Sequence, residues 1–219
     1  MRIKVTLTNP TESVPINNQE HLNSFFHKIL GEGNKYHDAF SRYAVSSLQG
    51  GKLSEDKHNL VFPENPYFYF STIDNEMMGL FLRSAMFYKG TFLGMGIKNV
   101  MPDDFICHDR FDKIITASPI LIKDKGHMLS IKDNEWLEKV ESNCKSKLAK
   151  EGIIDDTFSI SIISSEKSKR KLIFTKGIGN ICSLTRLRVE GKKKTRETLY
   201  NLGIGNSTGY GFGSIKIYD

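Results

Sequence analysis

Gly203-Ile204-Gly205-Asn206-Ser207-Thr208-Gly209-Tyr210-Gly211-Phe212-Gly213 runs directly into Ser214-Ile215-Lys216-Ile217-Tyr218-Asp219, and this stretch decides between two fold classes. Two Gly-apolar-Gly units flank a polar spacer. Repeated glycines allow φ > 0 and let another chain approach main-chain amides, so such a loop can grip phosphates. A dinucleotide-binding turn would need Gly-x-Gly-x-x-Gly after a strand and at the opening of a helix within a βαβ unit. Thr208 stands at the third glycine position, and the six residues after Gly213 alternate like a strand and are too few for a crossover helix. The doubly wound nucleotide fold is therefore excluded, and for the loop taken alone a glycine-rich edge turn without ligand stays open.

Working outward from that tail, the chain reads as two passes of strand, helix and strands. In the first, residues 2–8 alternate as a strand, and Leu22, Phe25, Phe26, Ile29 and Leu30 recur at helical spacing across Asn18 to Leu30, with Gly31 and Gly33 ending the helix. Tyr43 to Leu48 and Tyr67 to Thr72 read as strands. Asp74 or Asn75 caps a helix carrying Met77, Leu80, Phe81, Met86 and Phe87, and Phe92 to Ile97 adds a strand. The pattern loosens from Met101 to Asp112, which places the expected boundary between a domain over 1–110 and a second over 111–219.

The second pass opens with Lys113 to Ile122, where Pro119 implies an edge strand or bulge. Asp133 or Asn134 caps a helix with Leu137, Val140, Cys144 and Leu148 on one face, and Gly152 stops it. Phe158 to Ile163, Lys171 to Thr175, Ser183 to Val189 and Ser214 to Tyr218 then read as strands. The element order predicts an α+β protein made of two tandem ferredoxin-like domains of the βαββαβ, RRM-like type, closed by the glycine-rich loop.

With 39% hydrophobic and 26% charged residues the composition is that of a soluble protein, and no apolar run is long enough to span a bilayer. The first eight residues alternate as a strand and match neither a signal nor a transit peptide, so a cytoplasmic protein without membrane contact is expected. Cys107, Cys144 and Cys182 are too widely spaced for a disulfide framework or a Cys-x-x-Cys zinc site and read as small buried hydrophobes. Asp103, Asp104, Cys107, His108, Asp109 and Asp112 are chemically fit for a metal but follow no ligand spacing, and read as a solvated linker. No metal or cofactor is expected.

The net charge of +6 is modest, but its placement is not even. From Lys167 to Arg196 the basic residues are Lys167, Lys169, Arg170, Lys171, Lys176, Arg186, Arg188, Lys192, Lys193, Lys194 and Arg196, against Glu190 as sole acid. A field of one sign argues for a polyanionic partner. Lys192-Lys193-Lys194 by itself reads as a lysine-rich hairpin tip that blunts edge pairing. Next to the glycine-rich loop, the run favours nucleic acid over a merely solvated face.

Of the six histidines, His21 and His27 fall inside the first helix, His58 and His127 in polar turns, and His108 in the linker. His37 lies between a glycine-bounded helix end and a strand, with Lys35, Tyr36, Ser41 and Arg42 nearby. Those are the parts a ribonuclease needs. RNA brings its own nucleophile in the 2′-hydroxyl, so the protein has only to move protons and neutralise charge on the phosphate. A histidine can do the first and a Lys or Arg the second, without a metal. From this segment alone an idle loop histidine remains the alternative.

Together these pieces resemble the CRISPR repeat-processing endoribonucleases, the sixth CRISPR-associated protein family of the RAMP superfamily. Gly203-Ile204-Gly205, five residues and Gly211-Phe212-Gly213 resemble that family's C-terminal GhG-x5-GhG signature. Tyr36-His37 with Tyr43-Ala44-Val45-Ser46-Ser47-Leu48 is similar to its N-terminal histidine and Ser-x-Leu strand, and Ala117-Ser118-Pro119 to Ile122 resembles the strand that opens its second domain.

The resemblance implies two ferredoxin-like domains, recognition of the CRISPR repeat in precursor and processed guide RNA, and one metal-independent cut per repeat. The expected ends are a 2′,3′-cyclic phosphate and a 5′-hydroxyl, released toward an interference complex, with a monomer or homodimer both open. His37 would be the general acid/base, Arg42 its basic partner, and Tyr36 would place the scissile phosphate. RNA would be held by Lys169, Arg170, Lys192, Lys193, Lys194 and Arg196 together with Gly203, Gly205, Gly209, Gly211 and Gly213. The spacer Asn206 to Tyr210 lacks the Lys or Arg usual in the family, so phosphate contact there would rely on amides, hydroxyls and Lys216. The alternative is a non-catalytic RAMP protein that scaffolds guide RNA.

Overall fold

Alternation in Arg2–Leu7 (β1) sends Ile3, Val5 and Leu7 to a buried face and Arg2, Lys4 and Thr6 to the opposite one. The computed structural model describes residues 1–31, 33–36, 41–103 and 112–218. After β1 come α1 (Gln19–Leu30), β2 (Tyr43–Val45), β3 (Tyr67–Thr72), α2 (Asn75–Phe87) and β4 (Ile97–Pro102). The strands pair antiparallel in the order β2-β3-β1-β4. This is the ferredoxin-like order, in which each helix crosses over a neighbouring strand.

The apolar stripe of α1, Leu22, Phe25, Phe26, Ile29 and Leu30, is buried with Met77, Met78, Phe81 and Ala85 of α2 against the inner face of the sheet. Phe26 sits at the centre, its ring 5.0 Å from Phe70 and 5.3 Å from Phe81. Asp74 caps α2 by accepting from the Met77 amide at 3.0 Å.

The second half repeats the plan with β5 (Lys113–Thr116), α3 (Trp136–Lys150), β6 (Ser159–Ile162), β7 (Lys169–Thr175), β8 (Ile178–Leu184), β9 (Arg186–Glu190), α4 (Lys193–Leu202) and β10 (Ile215–Ile217). Its sheet order, β6-β9-β5-β10, matches the first, and β7 and β8 form a separate hairpin inserted between β6 and β9. Trp136, Val140, Cys144 and Leu148 of α3 fill the second core with Leu187, Val189 and Leu199. The two ferredoxin-like units expected from the element order are both present.

Several local expectations are corrected. Lys192-Lys193-Lys194 is not a hairpin tip; it opens α4, a helix absent from the sequence reading. The reason is that the cap is remote. The Asp155 carboxylate accepts the Lys192 amide at 2.7 Å and the Thr195 hydroxyl at 2.6 Å; the Thr157 hydroxyl, at 2.6 Å, together with these bonds holds it far below the usual carboxylate range. Ser183 to Val189 is two strands, one ending at Leu184 and one starting at Arg186. α3 begins at Trp136, and Asp133 binds the Ser130 amide and hydroxyl instead of capping it. Phe92 and Met95 close a turn by reciprocal main-chain bonds, so the strand expected there starts only at Ile97.

The halves meet through Arg2 and α4. The Arg2 guanidinium lies between the rings of Tyr69 and Tyr200, 4.1 and 4.6 Å from their centroids, pairs with Asp103 at 2.9 Å and donates to the Ile215 carbonyl. Its side chain is 2% exposed. Arg2→Met is expected to cost about 3 kcal/mol, because it leaves Asp103 without its cation, holding only the Tyr200 hydroxyl, and removes the donor to the Ile215 carbonyl. Chemical unfolding checks this, and a loss below about 1 kcal/mol would mean that the cation is not part of the joint.

Candidate functional site

A cavity of about 640 Å³ opens where the two halves face one another. The last turn of α1 brings His27 and Lys28 to it, the tip of the β7-β8 hairpin brings Lys176, and the glycine-rich loop brings Tyr210. The tip is fixed because the Glu20 carboxylate accepts the Lys176 amide at 3.0 Å. Beyond α1 the chain passes Gly31 and Gly33, and the Asn34 amide donates to the Gly31 carbonyl at 2.7 Å while its oxygen accepts the Tyr36 amide at 3.2 Å. This side-chain turn directs the chain away from the helix at the rim of the cavity.

His27 Nε2 lies 3.5 Å from the Tyr43 hydroxyl. Burial pushes the Tyr43 phenol up to about 12, against a smaller opposing hydrogen bond from Ser41, so it remains a neutral proton donor at physiological pH. Its ring stacks on Phe26 at 5.6 Å, which ties the site to the first core. The sequence reading left His27 inside the first helix with no role. Its signal there was position, immediately after buried Phe25-Phe26 and before Lys28, at the polar edge of the apolar stripe.

His37 lies outside the described residues. The described residues on either side of it are Tyr36 and Ser41; Asn34 lines the cavity, and Ser41 stands beside Tyr43 against Gly209. Tyr36 packs on the first core, with Lys35 5.3 Å above its ring and bound to Glu76 at 2.8 Å; desolvation raises its phenol. Arg42 is committed elsewhere. Its guanidinium grips Glu151 at the end of α3 through two bonds of 3.0 and 2.6 Å, and that pairing raises its pKa.

The glycine-rich loop differs from an open amide cradle. Gly203, Gly205, Gly209, Gly211 and Gly213 are all buried, and Ser207 is the loop's exposed residue. Main-chain donors of the loop are largely used internally: Ile204 to Gly213, Asn206 to Leu121, Gly213 to Pro119, Tyr210 and Phe212 to Ser207. Thr208 donates to the Tyr43 carbonyl at 2.9 Å, and Gly209 lies so close to Tyr43 that a Cβ would meet the ring at 2.6 Å. The glycines are thus required for close packing of the loop between the halves, while its polar tip faces outward.

Buried Lys147 of α3 secures the loop's start by donating to the Gly203 carbonyl at 3.1 Å. Burial pushes its amine down to about 8 from 10.5. The unfolded chain therefore holds this proton more tightly, and raising pH from about 8 to about 10.5 favours the folded state at this residue. The stability of the wild type relative to Lys147→Met is expected to rise by about 3 kcal/mol over that interval, read by urea titration at each pH. A flat difference would mean that the amine is solvated.

The cationic surface extends from the cavity along the hairpin. Lys169, Arg170, Lys171 and Lys176 are exposed there beside exposed Leu172 and Phe174. Such a mixture suits phosphates and stacked bases together. Lys192, Lys193 and Lys194 are exposed at the start of α4, and Arg196 is half-buried. Cys144 and Cys182 are buried thiols, each pushed up to about 12 by desolvation, while Cys107 is outside the described residues. Asp103 and Asp112 serve ion pairs with Arg2 and Arg188; Asp104, Cys107, His108 and Asp109 lie outside the described residues. Among the described residues no helix is long and apolar enough to cross a membrane.

The family model described as "CRISPR associated protein Cas6, C-terminal" matches residues 103–217. No curated protein matches the chain. Among solved structures, the chain is similar to a protein described as an RAMP protein binding different RNA substrates, at 17% identity with both chains fully covered and a TM-score of 0.86. It is also similar to the product of a Cas6-related gene from Pyrococcus furiosus, at 20% identity over 100% of this chain and 98% of that one, with a TM-score of 0.82. A Cas6 product complex matches at 15% identity over 100% and 99%, with a TM-score of 0.58. These likenesses show a shared fold, and because the family model spans more than half of its residues, the chain belongs to the Cas6 family of CRISPR-associated proteins.

Proposed function

We propose that the protein is a metal-independent endoribonuclease that binds CRISPR repeat RNA and cuts it once per repeat. The observation that carries this reading is the cavity between the halves, which sets an imidazole, a neutral phenol and two lysines around a space large enough for a nucleotide. Attack of the 2′-hydroxyl on phosphorus needs proton transfer and charge neutralisation, and those groups supply both. His37 acts as general acid/base, as the resemblance of Tyr36-His37 and the following strand to the family implies. RNA runs along the cationic hairpin with Lys169, Arg170 and Lys176, and onto the loop tip at Ser207 and Tyr210.

Incubating the protein with its repeat RNA in EDTA tests the reading. Expected products end in a 2′,3′-cyclic phosphate and a 5′-hydroxyl, and a requirement for Mg²⁺ would overturn it. The engagement of Arg42 by Glu151 favours a second reading, a non-catalytic RAMP protein that holds guide RNA, because it removes one expected cation from the reaction. That reading predicts salt-dependent RNA binding without any cut.

A further inference from the structure

We infer that Leu172 and Phe174 form a base-stacking platform on the β7-β8 hairpin, and that the RNA lying on it is unpaired. The inference rests on the RNA-binding part of the reading above and not on the chemistry at the cavity. Residues two apart on a strand share a face. On β7 that face exposes Leu172 and Phe174, at 54% and 48%. The residue between them, Ile173, points the other way and packs with Leu121, Cys182 and Phe212. The fold therefore uses one apolar residue of the strand to anchor the hairpin and leaves its two neighbours in solvent.

The platform is flat and held in place. In the ladder Phe174 stands opposite Gly179 and Leu172 opposite Ile181. A Cβ on Gly179 would come within 3.2 Å of Leu172 Cδ1 and 3.3 Å of the Phe174 ring, so both side chains lie over bare main chain. At the tip the Asn180 side-chain amide donates to the Thr175 hydroxyl at 2.8 Å and to the Ile178 carbonyl at 3.0 Å, and Glu20 accepts the Lys176 amide. A surface ordered before binding loses little freedom when a ligand arrives. From Lys169 to Leu184 the hairpin carries Lys169, Arg170, Lys171 and Lys176 and no acid. Exposed apolar area ringed by charge of one sign fits a polyanion that also offers flat apolar faces, which is nucleic acid with its bases uncovered. In a duplex the base faces are already stacked on one another, whereas an unpaired strand can lay them on an aromatic ring. Lys176 also lines the cavity, so a strand on this platform leads to it.

Binding of 2′-O-methyl repeat RNA, which lacks the nucleophile, tests this for the full chain and its Phe174→Ala, Phe174→Leu and Phe174→Tyr variants across about 50–200 mM salt. The alanine and leucine variants are expected to bind about 5–100-fold more weakly, with melting temperature unchanged, and the tyrosine variant to bind like the wild type. The slope of log affinity against log salt should stay the same in all three, because no charge is removed. Lys171→Gln, by contrast, should lower that slope by about 0.7. The same RNA annealed to its complement should bind the wild type and Phe174→Ala alike. Unchanged affinity in Phe174→Ala, or a leucine variant as good as the tyrosine one, overturns the stacking platform and leaves the RNA reading standing. An equal loss on the duplex overturns the selection for unpaired RNA. If the RNA-free wild type sediments as a dimer and Phe174→Ala as a monomer with full RNA affinity, the face is a contact between copies and the inference falls. A wild type that binds neither this RNA nor unmodified repeat RNA overturns the proposed function together with it.

Discussion

His37→Ala is expected to abolish cleavage of repeat RNA while leaving RNA affinity near that of the wild type. Loss of a general acid/base costs about 10²–10⁴ in rate, and more where the same residue also orients the phosphate. In the proposed reading affinity is carried elsewhere, by the exposed lysines and Arg170 along the hairpin and by the polar loop tip, so the two readouts should separate. Single-turnover rates with a filter-binding titration on the same RNA measure both. Undiminished cleavage by this variant would remove His37 from the site; a parallel loss of binding would make it an RNA contact and not a proton carrier. Arg42 offers a contrast, since its guanidinium already pairs with Glu151, so the charge neutralisation assigned to it falls more naturally to Lys28 or Lys176 at the cavity.

Gly213→Ala is expected to cost more stability than any other single substitution described above. Gly213 has φ +63, and a Cβ there would overlap the Ile204 carbonyl oxygen. The obstacle is main chain, and it cannot swing aside: Ile204 donates to the Gly213 carbonyl at 2.8 Å, and Gly213 donates to Pro119 at 2.8 Å. The left-handed backbone alone costs a Cβ-bearing residue about 1–2 kcal/mol. The clash raises the total above about 4 kcal/mol, a large part of the stability of an ordinary domain.

Gly177→Ala is the matched control. At the hairpin tip it has φ +74 with open space around its Cβ position, and should lose only about 1 kcal/mol. Urea unfolding of both variants decides the matter. A Gly213→Ala protein that unfolds like the wild type but no longer binds RNA would restore the phosphate-cradle reading of the loop.

Most of the fold is legible in the sequence because its signals are local. The helical stripe from Leu22 to Leu30, the alternation of β1, the Asp74 cap and the strand-like tail each rest on residues within a turn or two of one another. What escaped was set at a distance. α4 begins after Lys192 on two further lysines, a poor helix start by local rules, and its start is held by Asp155, 37 residues before Lys192, which accepts the amide of that N-cap residue and the Thr195 hydroxyl. Likewise, nothing adjacent to His27 in sequence announces that Tyr43 will stand beside it.

The sequence by itself determined that this is a tandem ferredoxin-like protein with a basic second half and a Cas6-type tail, since strand and helix periodicity, glycine spacing and charge are all readable along one dimension. Only the tertiary structure decided what the tail is for and which side chains share a site. Its glycines are buried between the halves, where a missing Cβ permits contact with Tyr43 and Ile204, and so they shape the cavity more than they grip a ligand. His27, Lys176 and Tyr210 meet because two distinct sheets are clamped through Arg2 and α4. Contacts between groups more than a hundred residues apart follow from packing, and no local spacing rule encodes them.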